Sequence, residues 1–261
     1  MMAIFENLGR TSLGFVDYLG ELGVLARESI HSLFTQRLRW RETIFQIYGI
    51  GIQSLPVVLL TGAFIGMVFA AQTYFQFHKV QMDTSTGPAV AIALSRELGP
   101  IITSLMIAGR VGAAMAAEIG TMQVTEQVDA LRSLAVHPVD YLVVPRMIAI
   151  SISLPILTAM AIAVGILSGY IVSIEMLGID GAYFIHNMYK YTDQNDIYTG
   201  LIKVFIFSFL IIFISCHKGL TCVGGAEGVG KSTTEAVVNS SISILITNFF
   251  VTMLLSRIIP P

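Results

Sequence analysis

The sequence predicts an all-α integral membrane protein with about five transmembrane helices. Of its 261 residues, 54% are hydrophobic and only 12% are charged, and the mean hydropathy is +0.76. In soluble domains about a quarter of the residues are charged, because charged side chains keep the surface in water. A chain with so little charge is expected to expose much of its surface to lipid. The net charge of −2 and the lack of a basic arm also argue against a nucleic-acid partner.

Long apolar runs are the second observation behind this fold class. A membrane-spanning helix needs about 20 apolar residues. Runs of about that length occupy residues 47–77, 98–117, 147–174, 199–216 and 236–256. Residues 44–261 are therefore predicted to form a transmembrane domain. Most lysines and arginines outside the runs lie in three segments. These are the segment before the first run, the segment between the second and third runs, and the segment between the fourth and fifth runs. This distribution predicts a cytoplasmic N-terminus and a C-terminus on the opposite side.

The N-terminal segment, residues 1–43, predicts an amphipathic helix lying in the inner-leaflet interface. Leucine or valine recurs every third residue, at Leu13, Val16, Leu19, Leu22 and Leu25. Arg37, Arg39 and Arg41 then stand around Trp40. Arginine favours anionic headgroups and tryptophan favours the membrane boundary. A soluble helix packed on the rest of the protein is the alternative.

Small residues predict a tightly packed bundle. Two GxxxG pairs stand in the first and third runs, and glycines also interrupt the alanine-rich second run: Gly62 and Gly66, Gly165 and Gly169, Gly109 and Gly112. In lipid such residues let helix backbones approach closely, where the hydrophobic effect offers little driving force. A second copy of the chain is one candidate partner for these faces.

The stretch "GGAEGVGKST", residues 224–233, fits the phosphate-binding pattern G-x-x-x-x-G-K-[ST]. A working nucleotide site also needs a preceding strand and a carboxylate that holds magnesium. The preceding residues 205–215 are an apolar run instead, and no aspartate follows Asp196. We therefore predict a glycine turn before the last helix, which Ser232 or one of the two following threonines would cap.

No grouping of residues predicts a metal site or a catalytic centre. The two cysteines, Cys216 and Cys222, lack a second pair of ligands, and the five histidines are scattered. The sequence contains no H-E-x-x-H motif and no Ser-His-Asp grouping. We expect a protein that is not an enzyme.

Residues 118–146 form the main polar interruption on the predicted cytoplasmic side. Within them, an amphipathic helix is predicted at about residues 121–136. Its apolar side carries Val124, Val128 and Leu131, and its charged side carries Glu126 and Arg132. A short helix between two spans suits docking into a groove on a soluble partner. A helix lying on the bilayer is the alternative.

Charged residues inside the apolar runs mark a second candidate site. Arg96 and Glu97 stand at the outer part of the second run if it begins near Ala89, and Lys203 stands near the outer end of the fourth. Charge in hydrocarbon is costly unless it is paired or wetted, so Lys203 is the expected partner of Glu97. The cluster could line a path for an amphiphilic substrate or simply tie helices together. Arg110 is expected to bond to carbonyls.

Aromatic residues end the first run. Tyr74 and Phe77 follow Gln72 there. They fit an interfacial aromatic belt or the wall of a lipid-sized pocket.

Three segments carry a resemblance to a known family. They are "ELGPIITSLMIAGRVGAAMAAEIGTMQVTEQVDAL" at 97–131, "GGAEGVGKSTTEAVVNSS" at 224–241 and "TGAFIGMVFAAQ" at 61–72. The chain resembles the MlaE/YrbE permease family from about residue 45 to its end. Members are the membrane subunits of MCE-associated lipid-transporting ABC systems in Gram-negative envelopes.

The resemblance implies a homodimer in the bacterial inner membrane above two ATPase subunits, which bind ATP and Mg²⁺. It also implies a periplasmic ring of MCE-domain proteins, a STAS-type protein on the ATPase and a periplasmic C-terminus. The helix at about 121–136 would be the coupling helix that docks on the ATPase. This chain itself would hold no cofactor.

By the same resemblance the substrate is phospholipid, carried between the inner and outer membranes to maintain outer-membrane lipid asymmetry. The lipid cavity would open between the first, second and last spans, and Arg96, Glu97 and Lys203 match the family's charged intramembrane positions. Transport by the chain alone, using these charges, is the alternative function. An odd number of spans and no inverted repeat weigh against it. A membrane scaffold that transports nothing is a third possibility.

Overall fold

The computed structural model describes residues 2–35 and 39–258, and helices account for nearly all of them. The five predicted spans are confirmed, each as helix long and apolar enough to cross a membrane. From first to fifth they are Trp40–His78, Asp83–Val124, Val139–Glu175, Gln194–Leu220 and Gly225–Ile258. The described ranges contain no strand, so the all-α fold class is also confirmed.

Several spans are divided into shorter helical segments. The α-helices in chain order are α1 (Met2–Thr35), α2 (Trp40–Ile50), α3 (Leu55–His78), α4 (Thr86–Ala93), α5 (Gly99–Ile107), α6 (Ala113–Val124), α7 (Gln127–Ser133), α8 (Val144–Glu175), α9 (Gly181–Tyr191), α10 (Gln194–Leu220) and α11 (Gly225–Ile258). The turns Ile52–Ser54 and Asp83–Ser85 are 3₁₀-helical, and Leu94–Leu98, Ala108–Gly112 and Val139–Val143 are π-helical. The second span therefore contains two π-helical turns.

The N-terminal helix α1 rests on the cytoplasmic end of the bundle, as the predicted orientation defines it. Its Glu21 Oε2 lies 2.8 Å from His217 Nε2, and the Tyr18 ring meets the His217 ring edge-on. Burial raises the pKa of the Tyr18 hydroxyl above its ordinary value. Leu25 is buried, while Leu13, Val16 and Leu19 are exposed. An exposed apolar stripe suits the membrane interface, which stays a prediction; the predicted role of Arg37 lies outside the described residues.

The two GxxxG pairs face each other between α3 and α8. A side-chain carbon added at Gly66 would overlap the carbonyl group of Gly165, and one added at Gly62 would lie 2.7 Å from the Ala161 oxygen. Ser168 Oγ donates to the Ala63 carbonyl at 2.8 Å across the same contact. The first and third spans are therefore held together at backbone distance within one chain.

The glycines of the second span differ from each other. A carbon added at Gly112 would lie 2.8 Å from Ser215 Oγ on α10, so Gly112 serves close packing. Gly109 is exposed, and no described atom lies within 4 Å of the corresponding position. Its predicted packing role is wrong for contacts within this chain, because this side of the second span faces outward.

The last helix begins earlier than the sequence predicts. α11 starts at Gly225, after a turn in which Gly224 and Gly225 have positive φ angles of 94° and 66°. Lys231 and its motif neighbours therefore lie inside a helix, where backbone N–H groups donate to carbonyls one turn back. These N–H groups do not form the cradle of a phosphate-binding loop.

The predicted caps of this helix are wrong for the same reason. Ser232 and Thr233 lie about two turns inside α11, and Thr233 Oγ1 donates to the Val229 carbonyl at 2.7 Å. Glu235 lies farther along α11. Its Oε2 accepts a hydrogen bond from Lys218 Nζ at 2.7 Å, which ties α11 to α10.

A helix between the third and fourth spans, α9, has no counterpart in the sequence predictions. Asp180 caps it by accepting hydrogen bonds from the N–H groups of Ala182 and Tyr183. Phe184 is 1% exposed and meets the Tyr170 ring edge-on. At eleven residues α9 is too short to appear as an apolar run, although Asp180 followed by aromatic residues is a helix-start pattern.

Candidate functional site

The charged residues of the second and fourth spans form a cluster in the structure. Lys203 Nζ lies 2.6 Å from Glu97 Oε1, which is the pair expected from the sequence. Arg96 Nη1 lies 3.3 Å from Asp196 Oδ1, a partner that the sequence analysis missed. Asp196 precedes Lys203 by seven residues, so the two share a helix face, and this spacing could have indicated it.

The fifth span completes the cluster through two neutral residues. Lys203 Nζ donates to Thr252 Oγ1 at 2.8 Å and to the Arg96 carbonyl at 3.1 Å. Glu97 accepts from Thr252 Oγ1 and from Asn248 Nδ2, each at 3.2 Å. An ammonium has three donors, so the bonds to Glu97, Arg96 and Thr252 use all of them. The cluster therefore joins the second, fourth and fifth spans.

Exposure separates the three predicted substrate-path residues. The Lys203 side chain is 0% exposed, whereas those of Glu97 and Arg96 are 36% and 22% exposed. Lys203 thus faces only protein within the chain. Glu97 and Arg96 keep part of their surface open to a ligand while they are paired. The arrangement serves as an interhelical tie, and it leaves a dipolar surface at one side.

The aromatic residues predicted for the substrate path lie at the far end of the first span. Tyr74 is half-buried and stacks on His78, with ring centroids 5.2 Å apart, and it meets the Phe75 ring edge-on. Phe77 is half-buried and Gln72 is exposed. The aromatic contacts of Tyr74 stay on its own helix.

The predicted continuous helix at about 121–136 is wrong. α6 ends at Val124, Glu126 takes a left-handed conformation with φ of 60°, and α7 occupies only Gln127–Ser133. Thr125 Oγ1 donates to the Thr121 carbonyl at 2.7 Å at the end of α6. Polar residues from Thr125 to Gln127 provide no apolar side to continue α6, so the chain turns before α7 begins.

The turn changes which residues of this segment can meet a partner. Val128 is 0% exposed, so its assignment to the docking surface is wrong, and it anchors α7 to the bundle instead. Val124 and Leu131 are half-buried, and Glu126 is exposed. Arg132 and Asp129 pair at 2.9 Å on the exposed side, and Leu134 is 72% exposed just beyond it. We call Asp129 and Arg132, together with the flanking residues Glu126 and Leu134, the outer face of α7.

An ion pair supports α7 from the spans on either side of it. Arg146 Nη2 on the third span lies 2.9 Å from Glu118 Oε2 on the second. Arg146 is buried and also donates to the Leu142 carbonyl at 2.8 Å. The second and third spans, which flank α7, are therefore joined to each other by this pair.

Comparisons with known proteins agree with the resemblance noted in the sequence. The family model described as "Permease MlaE" matches residues 43–254. A "Probable ABC transporter permease protein" of Rickettsia bellii is 39% identical over 258 residues, which cover 99% of this chain and 100% of the relative. The "Intermembrane phospholipid transport system permease protein MlaE" of Haemophilus influenzae is 35% identical over 249 residues, 95% of each chain.

A plant protein shows that the similarity extends beyond bacteria. "Protein TRIGALACTOSYLDIACYLGLYCEROL 1, chloroplastic" of Arabidopsis thaliana is 42% identical over 226 residues. The match covers 87% of this chain and 65% of the plant protein.

Proposed function

This chain belongs to the MlaE permease family, and we propose that it is the membrane subunit of an ABC transporter that moves phospholipid between the inner and outer membranes. The match across residues 43–254 is the observation that carries this proposal. Five spans and the Haemophilus influenzae relative support a multi-pass protein of the bacterial inner membrane. Its biological role would be to maintain outer-membrane lipid asymmetry.

The proposed assembly contains two copies of the chain and two ATPase subunits that hold ATP and Mg²⁺. A periplasmic ring of MCE-domain proteins would receive or deliver lipid, and a STAS-type protein would bind the ATPase. The N-terminus would lie in the cytoplasm and the C-terminus in the periplasm. In the apolar stretches of the fifth and first spans, only 11% and 22% of residues are buried, against 44–50% in the other three spans. These two spans therefore have the most surface available for a second copy and for lipid.

The outer face of α7 is the proposed contact with the ATPase. Val128 fixes α7 to the bundle, and the Arg146–Glu118 pair joins the second and third spans beside it. Movement of the ATPase would therefore displace both spans together. Arg96 and Glu97 lie on the same second span, nearer its periplasmic end, so this movement would reach the charge cluster.

Replacing Leu134 by aspartate is expected to weaken ATPase binding by about tenfold or more, because it puts a charge into an apolar contact. The measurements are the amount of ATPase that co-purifies and its hydrolysis rate with the permease. Val80→Asp is the matched control and should change neither, because Val80 is an apolar residue, 61% exposed, near the opposite end of the bundle. Normal binding and hydrolysis in Leu134→Asp would refute the docking assignment.

Lys231→Ala is expected to leave ATP binding and hydrolysis by the complex unchanged, because Lys231 is an exposed residue within α11. The positive control removes the phosphate-loop lysine of the ATPase and should abolish both. The measurements are nucleotide binding and turnover of purified complexes. If the isolated permease bound ATP and lost it in Lys231→Ala, the assignment of ATP to the partner would be wrong.

The proposed function is tested by reconstituting the complex in vesicles with labelled phospholipid and an acceptor. Lipid transfer that needs ATP and the ATPase is the expected result. Transfer driven by an ion gradient without the ATPase would establish the stand-alone transporter instead. No transfer under either condition would favour the scaffold.

A further inference from the structure

The second span carries another arginine within its apolar region, and it lies nearer the cytoplasmic end than the charge cluster. Arg110 follows Arg96 by fourteen residues, which is roughly 20 Å along a helix at 1.5 Å per residue. Each of the two arginines sits in a π-helical turn, Leu94–Leu98 and Ala108–Gly112 respectively. π-Helical turns inside α-helices occur frequently at functional sites, so Arg110 invites the same question as the cluster.

The pairing of Arg110 differs from that of Arg96. Arg110 Nη1 donates to Ser54 Oγ at 2.5 Å, so its bond is to a hydroxyl and not to a carbonyl as predicted. Among the side chains of residues 13–14, 16–35 and 39–258, no carboxylate lies within ion-pair distance of it. The acid that shares its surroundings, Glu118, is taken up by Arg146. A guanidinium has five donors, and Arg110 is exposed at the surface of the chain.

An open groove of about 330 Å³ adjoins the Arg110 side chain, between the first and second spans. Its polar wall includes Gln46, Tyr48 and Gln53 from the first span. Its apolar wall includes Val111, Ala114 and Met115 from the second. Glu118 also lines the groove, but its carboxylate pairs with Arg146. Amide, phenol and guanidinium donors beside hydrocarbon match an amphiphile whose polar part carries negative charge.

We propose that this groove binds the phosphate of a phospholipid from the inner leaflet, with Arg110 as the cation that recognises it. Arginine presents a planar fork of donors that fits phosphate oxygens. An uncompensated charge at this depth is costly unless something pairs with it, and a lipid phosphate would supply the pairing. The proposal deepens the proposed function, on which it rests. The groove would be a headgroup site nearer the cytoplasmic end of the second span than the charge cluster. In the cluster, unlike in the groove, the cations Arg96 and Lys203 are already paired with carboxylates.

The test places a photoreactive phenylalanine analogue at position 53 of the full chain. The chain is inserted in vesicles of phosphatidylethanolamine and phosphatidylglycerol whose own phosphate groups are radiolabelled. Light should attach lipid to the chain. In Arg110→Gln the attachment should fall about tenfold, since the charged hydrogen bonds to phosphate are lost. Ser54→Ala removes only the bond between Ser54 and Arg110 and should keep the attachment.

A second probe at Val68, which is 67% exposed on the first span, reports general contact with lipid. Its labelling should be equal in wild type and Arg110→Gln, which shows that the variant is folded and inserted. Equal labelling of position 53 in both chains would overturn the proposal. Attachment of position 53 to a second copy of the chain in place of lipid would also overturn it, because Arg110 would then serve dimerisation.

Two further outcomes separate the alternatives. Inorganic phosphate should compete only weakly, because it lacks the acyl chains that would contact Val111, Ala114 and Met115. Complete loss of attachment at a phosphate concentration equal to that of the labelled lipid would identify a site for free phosphate and overturn the lipid assignment. A wild-type complex that transfers no lipid, yet shows Arg110-dependent attachment at position 53, would remove the proposed function and leave the binding site. Lipid transfer with attachment independent of Arg110 would do the reverse.

Discussion

Replacing Glu97 by alanine is expected to destabilise the folded bundle by about 3–5 kcal/mol, because it leaves the buried ammonium of Lys203 without its carboxylate. Lys203 is 0% exposed in the intact protein, and after the substitution its ammonium would keep only the Thr252 hydroxyl and the Arg96 carbonyl as partners. Thermal unfolding of the purified protein in detergent measures the effect. Asp129→Ala is the control, since it breaks an exposed pair with Arg132, and such pairs contribute about 1 kcal/mol or less.

A second change should rescue the first. Glu97→Gln combined with Lys203→Met removes both charges and keeps side chains of similar size, and replacing a buried ion pair in this way is often neutral. The double variant is expected to unfold close to the wild-type temperature. If Glu97→Ala alone unfolded at the wild-type temperature, the pair of Glu97 and Lys203 would not be a structural tie.

The rescued protein also separates the two roles that the sequence left open. Normal lipid transfer by the stable double variant would show that Glu97 and Lys203 act only as a tie between helices. Loss of transfer, with stability retained, would show that their charges act on the lipid. The partial exposure of Glu97 makes the second result possible on steric grounds.

Gly66→Ala is the other substitution with a large expected effect. The added methyl group overlaps the backbone of Gly165, so α3 and α8 must separate along their closest contact. Overpacking costs about 1–3 kcal/mol where side chains can adjust, and a backbone carbonyl adjusts less, so we expect a loss of at least about 3 kcal/mol. The measurement is again thermal unfolding of the purified chain.

Gly109→Ala provides the matched control for Gly66→Ala. The same methyl group meets no described atom within 4 Å at this position, and alanine favours a helix over glycine by about 1 kcal/mol. The variant should be as stable as wild type or slightly more so. Equal unfolding temperatures for Gly66→Ala and wild type would contradict the backbone contact between the first and third spans.

The sequence by itself determined the five spans, the family and the Lys203–Glu97 pair. Hydropathy is a property of each residue, so its sum along a segment indicates a span without knowledge of neighbouring helices. A charge in hydrocarbon needs an opposite charge, and the apolar runs offered few candidates for Glu97. These conclusions depend on composition and on distance along the chain.

Only the tertiary structure decided which face of each helix is inside. Val128 proved buried and Leu134 exposed, and Gly66 proved tightly packed while Gly109 proved open. The spacing of Asp196 and Lys203 puts both on one helix face, but the packing of α10 on the second span decided that Asp196 pairs with Arg96. In a chain so rich in apolar residues, the inward and lipid-facing sides have nearly the same composition, because both are apolar. The side that a helix turns inward is set by the helix packed against it. That helix is distant in the sequence, so the residues of one span do not indicate it.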